Sequence, residues 1–410
     1  MRQSAVRTLD GARQHEPEQE LLLAACRFVL GLAGRDDVAH AAAGVLDWSD
    51  IVGAAGRHAV LPLLYVALAA AGPLVGQHVP SDVADELKRH FDGNALHNVA
   101  LARYLTELGD RFTAAGVAFM PIKGPSLTVA AYGDLSLRQF SDLDLVIHRR
   151  DLRRVRALLR DDGYAPVNVV TESLDDLVLD PDYHLPLRND ATGVSLEIHW
   201  ALGRRGFGSL RREDWAWTNV TTMSVLGRSL PALDARALIV YLCVHGAKHN
   251  WAQLVRVCDV YAAVRSAPDL DWIAVRALAA PAGVARMLEV GIGLCDTLLG
   301  ADLRGRGWVA RADPVVQSLI DEAAHRCLTE RPLSTSEQLR LQLRTRERVV
   351  DRVLLSLDVL GSPHVTDLNA VRLPPGLSAL YHVVRPLRLV VAHARRWVTR
   401  SHQEARQNES

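Results

Sequence analysis

The sequence SDLDLVI, residues Ser141–Ile147, predicts a β-strand that carries two acids. Successive side chains of a strand point to opposite faces, so Asp142 and Asp144 stand together on the face opposite the apolar residues. Two neighbouring carboxylates repel each other unless a cation or a shared proton relieves them. A divalent metal ion is the natural partner, although a D-x-D pair also occurs by chance in loops and on solvent-facing strands.

A second predicted strand, Val194–Trp200, has the sequence VSLEIHW. Its apolar and polar residues alternate, which places Glu197 on a polar face like that of the two aspartates. If the two strands are neighbours, Asp142, Asp144 and Glu197 can meet at one site. His199 could orient these acids or contact a nucleotide, and a structural histidine held by hydrogen bonds is an equal alternative.

A turn upstream of these strands has the sequence KGPS, residues 123–126, and follows a short apolar strand predicted over Val117–Ile122. Glycine allows a backbone to approach a ligand closely, and proline is favoured in the first turn of a helix. The N-terminus of a helix offers free N–H groups to phosphate. The turn therefore predicts a phosphate-binding loop that leads into a helix over Ser126–Tyr132, although an ordinary strand-to-helix turn would have the same residues.

Together these segments resemble the nucleotidyltransferase superfamily related to DNA polymerase β. The closer resemblance is to a bacterial family of uncharacterised nucleotidyltransferases, and it covers about residues 95–265. The matching segments are Lys123–Leu127, Tyr132, Arg138–Val146, Glu197–Trp200, His245–His249 and Trp251.

In that superfamily a glycine turn and a nearby serine hold the triphosphate, and a D-x-D strand with one further acid binds two magnesium ions. The resemblance therefore implies that Asp142, Asp144 and Glu197 are catalytic and bind Mg²⁺ or Mn²⁺. The nucleotide-binding residues that it implies are Lys123, Gly124, Ser126, Arg138 and Lys248. Ser126 does not directly follow Gly124 as the superfamily's serine does, so the phosphate-binding serine is left open.

The reaction implied by the resemblance is transfer of an NMP from an NTP, with ATP as the expected donor, and release of pyrophosphate. The acceptor could be a small molecule, a sugar, a peptide or another protein, and the sequence does not decide among these. One alternative is an inactive nucleotide-sensing or partner-binding module of the same fold. Another is a metal-dependent phosphoesterase that uses the same carboxylates. A P-loop kinase is disfavoured because G-x-x-x-x-G-K-[ST] is absent.

The expected fold class is α+β, with a polymerase β-like core of a small mixed sheet and helices between two helical regions. We predict an N-terminal helical region over residues 17–100, the nucleotidyltransferase core over 101–230 and a C-terminal helical region over 231–400. Asp151 and Asp234 are predicted helix N-caps, and Ser334–Glu337 has the pattern of a capping box.

Composition and charge exclude several classes of protein. The 47 basic and 47 acidic residues give a formal net charge of zero, which argues against a general nucleic-acid binder. Five scattered cysteines predict free buried thiols in a reducing cytoplasm. The polar N-terminus lacks the apolar stretch of a signal peptide, and prolines and glycines interrupt the longest uncharged run, residues 59–77. We therefore expect a cytoplasmic enzyme without a transmembrane segment.

His245 and His249 are four residues apart on a predicted helix, a spacing that can bind zinc. No nearby cysteine or H-E-x-x-H sequence completes such a site. Packing or contact with the substrate is the preferred interpretation.

Overall fold

The computed structural model describes residues 16–44, 46–167, 183–310 and 313–362, together with residues 367, 370–371, 373–374, 377 and 380–388. A five-stranded mixed sheet lies among helices from both ends of the chain. The expected α+β class, with a small mixed sheet and flanking helices, is confirmed.

The helices that precede the sheet are α1 (Pro17–Val29), α2 (Arg35–Ala42), α3 (Trp48–Arg57), α4 (Leu61–Ala71) and α5 (Ser81–Ala114). Helix α5 has 34 residues and continues without a break across the predicted boundary at residue 100. The division into three regions stays a prediction.

The sheet contains β1 (Phe119–Pro121), β2 (Asp142–Ile147), β3 (Tyr164–Pro166), β4 (His184–Asn189) and β5 (Ser195–His199). Its strand order is β1-β2-β5-β4-β3. Strands β2 and β5 are parallel, and the other neighbouring pairs are antiparallel. The three strands predicted from the sequence are therefore confirmed, each with shorter ends, and the two that carry the acids are adjacent.

Helical segments connect the strands. After β1 the chain forms a single turn, α6 (Pro125–Leu127), and continues as a π-helix over Thr128–Tyr132. The helix predicted over Ser126–Tyr132 is thus present but changes its hydrogen-bonding pattern after one turn. Helix α7 (Leu152–Asp161) follows β2.

A short helix and a separate hairpin follow the sheet. They are α8 (Glu213–Trp217), β6 (Val220–Val225) and β7 (Arg228–Leu233). The helices that follow in the described part of the chain include α9 (Ala235–Lys248), α10 (Leu254–Arg265), α11 (Trp272–Ala282), α12 (Ala285–Leu299), α13 (Pro314–Thr329), α14 (Thr335–Arg344) and α15 (Val349–Gly361), and residues 381–388 are also helical. The part of the predicted C-terminal region beyond residue 388 lies outside the described residues.

Two of the three predicted helix starts have the expected hydrogen bonds. Asp234 accepts a bond from the backbone N–H of Ala237. Ser334 and Glu337 form both bonds of the capping box. Asp151 lies at the N-cap of α7, but its side chain makes no capping bond.

The two faces of the sheet contact different hydrophobic cores. Leu143, Leu145 and Ile198 pack with α7 and the C-terminal half of α5. Val146 and Met120 belong to the second core, which the N-terminal and C-terminal helices share. The polar face of β2 and β5 is therefore directed toward the C-terminal helices.

The five cysteines are free and buried, as predicted. Within the described residues, no helix is both long enough and apolar enough to cross a membrane.

The tight turn that follows α9 folds back and packs against the side of that helix. Asn250 and Trp251 both have positive φ, 55° and 54°, which is uncommon for bulky residues. The Trp251 ring is buried against Gly246 of α9, where an added Cβ would lie 2.3 Å from ring atom Cζ3. Glycine at position 246 is therefore required by packing.

We predict that Gly246→Ala destabilises the protein by about 1–3 kcal/mol, because the methyl group overfills a packed contact. Gly93→Ala is the matched control, since Gly93 lies in α5 with open space around it. The control should gain about 0.5–1 kcal/mol from the better helix propensity of alanine. Urea unfolding measures both free energies, and equal stability of the two variants would contradict the packing argument.

Candidate active site

The register of β2 and β5 brings the predicted acids together. Asp144 pairs with Glu197 and Asp142 pairs with Ser195 across the parallel strands. Because side chains alternate along a strand, these residues share one face while the neighbouring leucines enter the core. Three carboxylates from two adjacent strands are thus directed to one region.

Asp144, Glu197 and His199 form a compact ligand group, with one ligand atom of each lying within 4.8 Å of the others. The Nε2 atom of His199 lies 3.1 Å from Asp144 Oδ1 and 3.3 Å from Glu197 Oε2. The buried Oδ2 atom of Asp144 has no hydrogen-bond partner among the described residues. A carboxylate oxygen left unpaired beside two further ligands fits a divalent cation.

Asp142 is not a member of this group. Its half-buried carboxyl lies on the same face, where burial and then the nearby charge of Asp144 raise its pKa. The predicted three-acid site is therefore represented by two acids and a histidine in mutual contact, with the third acid beside them.

Lys123 neutralises Asp144, with its Nζ atom 2.7 Å from Asp144 Oδ1. Burial would lower the pKa of Lys123, but the carboxylates of Asp144 and Asp142 outweigh it and the pKa is raised. Burial would likewise raise the pKa of Asp144, but Lys123 and His199 hold that pKa well below its usual range. Both groups are therefore charged at neutral pH.

Hydrogen bonds from two hydroxyl side chains to backbone carbonyl groups stabilise the turn after Lys123. Gly124 has a φ of +59°, and an added Cβ would lie 3.2 Å from the carbonyl oxygen of Asp142. Ser126 donates a hydrogen bond to the Lys123 carbonyl, and Thr128 donates one to the Gly124 carbonyl, both at 2.8 Å. These contacts fix the turn against β2, and phosphate binding by Gly124 and Ser126 stays a prediction.

Arg138, a predicted nucleotide-binding residue, is paired with a buried acid of a C-terminal helix. Its Nε and Nη2 atoms lie 2.9 and 3.0 Å from the two carboxylate oxygens of Asp259 in α10. Tyr132 donates a hydrogen bond of 2.9 Å to the same carboxylate. The buried pair attaches the segment before β2 to α10, and contact of Arg138 with the nucleotide stays a prediction.

A small pocket, with a cavity volume of about 10 Å³, lies beside Lys123 and His199. The other residues that line it are Tyr183, Leu202, Gly203, Arg204, Phe207, Tyr241, Val244, His245 and Lys248. Lys248 donates to the Tyr183 hydroxyl and lies 5.1 Å from the centroid of that ring. Burial, followed by repulsion from Lys123, lowers the pKa of Lys248 to about 8. Two of the predicted nucleotide-binding residues, Lys123 and Lys248, therefore share this pocket.

His245 and His249 lie close together, with ring centroids 4.6 Å apart. Burial lowers the pKa of His249 to about 3, so this ring is neutral. Neither histidine belongs to a group of three metal ligands within the described part of the chain. This arrangement agrees with the packing or substrate-contact interpretation.

The sequence interpretation missed Tyr183 and Arg204 as pocket residues. Arg204 follows the second acidic strand and pairs with Asp358 in α15. No local pattern indicates such a contact across 154 positions of the chain. His199 did have a signal, because alternation along β5 places it on the same face as Glu197.

The sequence model of the family described as an uncharacterised nucleotidyltransferase matches residues 45–300. No curated protein matches the sequence at a significant level. Among solved structures, the chain is similar to an antigenic nucleotidyltransferase-like protein from Paracoccidioides brasiliensis at 14% sequence identity. That similarity covers 50% of this chain and 91% of the other, with a TM-score of 0.34.

We predict that Lys123→Met destabilises the metal-free protein by about 3–5 kcal/mol, because it removes the ammonium group that neutralises the buried Asp144 carboxylate and leaves only the His199 hydrogen bond. Adding Asp144→Asn to that variant should recover part of the loss. Lys88→Met, which alters an exposed surface pair with Asp92, is the matched control and should leave stability nearly unchanged.

Urea unfolding in the presence of a chelator gives the four free energies of a double-mutant cycle for Lys123 and Asp144. Simple additivity of the two single changes would show that this pair contributes no coupling to stability.

Proposed function

This chain belongs to the uncharacterised nucleotidyltransferase family, and from that premise we propose a specific reaction for it. The protein transfers an NMP from an NTP, with ATP as the expected donor, to an acceptor, and releases pyrophosphate. The reaction depends on a divalent cation, Mg²⁺ or Mn²⁺. Family membership implies a nucleotide substrate, and the donor, the cation and the leaving group are parts of the proposal.

The observation that carries the proposal is the convergence of acids and a lysine on one face of the sheet, beside a small pocket. Asp144 and Glu197 face each other across β2 and β5, with Asp142 on the same face. Lys123 pairs with Asp144 and also lines the pocket. Anionic cation ligands beside an ammonium group suit a ligand that carries phosphates and a divalent ion.

Asp142, Asp144 and Glu197 would hold the cation, with His199 beside them. When bound, such an ion neutralises triphosphate charge and lowers the pKa of an acceptor hydroxyl. The Oδ2 atom of Asp144 supports this assignment, because it is buried without a hydrogen-bond partner in the described part of the chain and such an oxygen is costly.

Lys123 and Lys248 both bind the triphosphate in this proposal. Their ammonium groups line the same pocket, and each can donate charge-assisted hydrogen bonds to phosphate oxygens. When a phosphate binds, the Lys123 ammonium group must either leave the Asp144 carboxylate or contact the carboxylate and the phosphate together. Charge that develops on the leaving pyrophosphate is stabilised by groups already in place.

Glu197 is suited to accept the proton of the acceptor hydroxyl. Burial would raise its pKa, but the hydrogen bond from His199 holds that pKa below its usual value, so the carboxylate is ionised. Its side chain remains 29% exposed, which leaves it accessible to an acceptor. The acceptor oxygen then attacks the α-phosphorus as pyrophosphate leaves.

We predict that the protein, incubated with each NTP, Mg²⁺ or Mn²⁺ and a cell extract, releases pyrophosphate in proportion to the acceptor modified. Mass spectrometry identifies the molecule that gains a nucleotide. Asp144→Asn and Glu197→Gln should each slow the reaction by at least about 100-fold, because they remove a cation ligand or the base.

Asp190→Asn is the matched control for these variants, since this carboxylate lies on the surface in the turn between β4 and β5 and is 93% exposed. It should leave turnover unchanged. Inorganic phosphate as the product would favour hydrolysis by the same carboxylates. Absence of any product, under conditions where the nucleotide demonstrably binds, would favour the inactive binding module.

We also predict that nucleotide affinity weakens as pH rises through about 8, where the Lys248 ammonium loses its proton in the free protein. The loss should reach at most about tenfold per pH unit, because one proton is involved. In Lys248→Arg the guanidinium stays charged, so its affinity should be flat over the same range. Titration of NTP at constant cation and ionic strength measures both profiles, and parallel profiles would exclude Lys248 as the titrating group.

A further inference from the structure

His199 places a nitrogen atom where a site for Mg²⁺ would be expected to have oxygen. Its Nε2 atom lies between the carboxylates of Asp144 and Glu197, at 3.1 and 3.3 Å. The side chain is only 4% exposed, so its position is fixed by the sheet around it. The imidazole is therefore one of the three side chains of the ligand group.

The chemistry of this donor set favours some divalent cations over others. Mg²⁺ is bound through oxygen ligands and keeps several waters. Imidazole nitrogen is a ligand of transition ions and is used most strongly by the later members of the first row, whereas Mn²⁺ shares with Mg²⁺ a preference for carboxylate oxygen. A group with two carboxylates and one imidazole therefore gives Mn²⁺ a ligand that Mg²⁺ uses poorly.

We infer that the Asp144, Glu197 and His199 group binds Mn²⁺ in preference to Mg²⁺, with His199 Nε2 as a direct ligand. The inference rests on the cation site of the proposed function and does not depend on the transfer reaction. It deepens that proposal by naming the cation and the residue that selects it.

A second role for His199 has to be separated from this one. In the metal-free protein its Nε2 can donate a hydrogen bond to Asp144, as a positioning residue would. A nitrogen that binds a metal cannot also carry that proton, so coordination moves the ring proton to Nδ1. In the described part of the chain Nδ1 has no hydrogen-bond partner, so only the carboxylates at Nε2 set the tautomer of the metal-free ring.

The neighbouring histidine provides a matched control. His184 on β4 is the register partner of His199, and the two rings stack with centroids 5.2 Å apart. His184 does not belong to the ligand group. Replacing it removes a nearby imidazole and leaves the three ligands in place.

The first experiment measures the binding of Mn²⁺ by electron paramagnetic resonance, with Mg²⁺ as competitor. The full-length protein should bind Mn²⁺ at least about tenfold more tightly than Mg²⁺. His199→Gln should weaken Mn²⁺ binding by at least about tenfold, since even residues that only support a ligand have effects of that size. Mg²⁺ binding should change much less, and His184→Gln should preserve the preference.

The second experiment needs no variant and looks for ¹⁴N coupling in the electron spin echo of bound Mn²⁺. The wild-type protein should show a coupling typical of a directly bound imidazole, and His184→Gln should retain it. Bound Mn²⁺ without nitrogen coupling would overturn the inference and leave His199 as a positioning residue.

Equal affinity for the two cations would also overturn the inference, while pyrophosphate release with Mg²⁺ would leave the proposed function standing. If neither Mn²⁺ nor Mg²⁺ binds, the cation site itself is wrong.

Discussion

A charge buried in a protein must be compensated, and at the candidate site the buried carboxylate is that of Asp144. Its side chain is 1% exposed and lies within a sheet whose other face is apolar. Lys123, just after β1, and His199, at the end of β5, supply the compensation. Strands from three separate parts of the sequence must therefore be in register before this charge is tolerated, which links formation of the sheet to assembly of the site.

The C-terminal helices complete the pocket. Lys248 at the end of α9 brings a second ammonium group, and Asp358 of α15 binds Arg204 in the loop after β5. Arg346 is fully buried, donates a 2.8 Å bond to the Gly206 carbonyl and lies 4.3 Å from the Phe207 ring. The loop that lines the pocket is thus held by residues more than 130 positions away, so these helices position the site as well as covering the sheet.

The parts of this arrangement that could be predicted from sequence are those with a local cause. Alternation along β2 and β5 predicted both strands and the shared face of Asp144 and Glu197. The attachment of Arg138 to Asp259 could not be predicted, because the two residues are 121 positions apart and several acids were possible partners. The extent to which the Asp144 side chain is buried could not be predicted either, because it depends on helices far along the chain. Local patterns specify elements and faces, whereas partners of buried charges depend on the tertiary fold.

Stability alone does not account for the charged groups at this face of the sheet. Replacing a buried ion pair by apolar residues of similar volume is often neutral or stabilising, so a chain that only had to fold would gain little from Lys123 and Asp144. Among the described residues, the Asp144 Oδ2 atom on the same face has no hydrogen-bond partner, which costs further stability. Groups that are costly in the free protein but suited to a cation and a phosphate are expected where a ligand offsets the cost. This reasoning favours a site that binds a charged substrate over a module in which the fold alone has been kept.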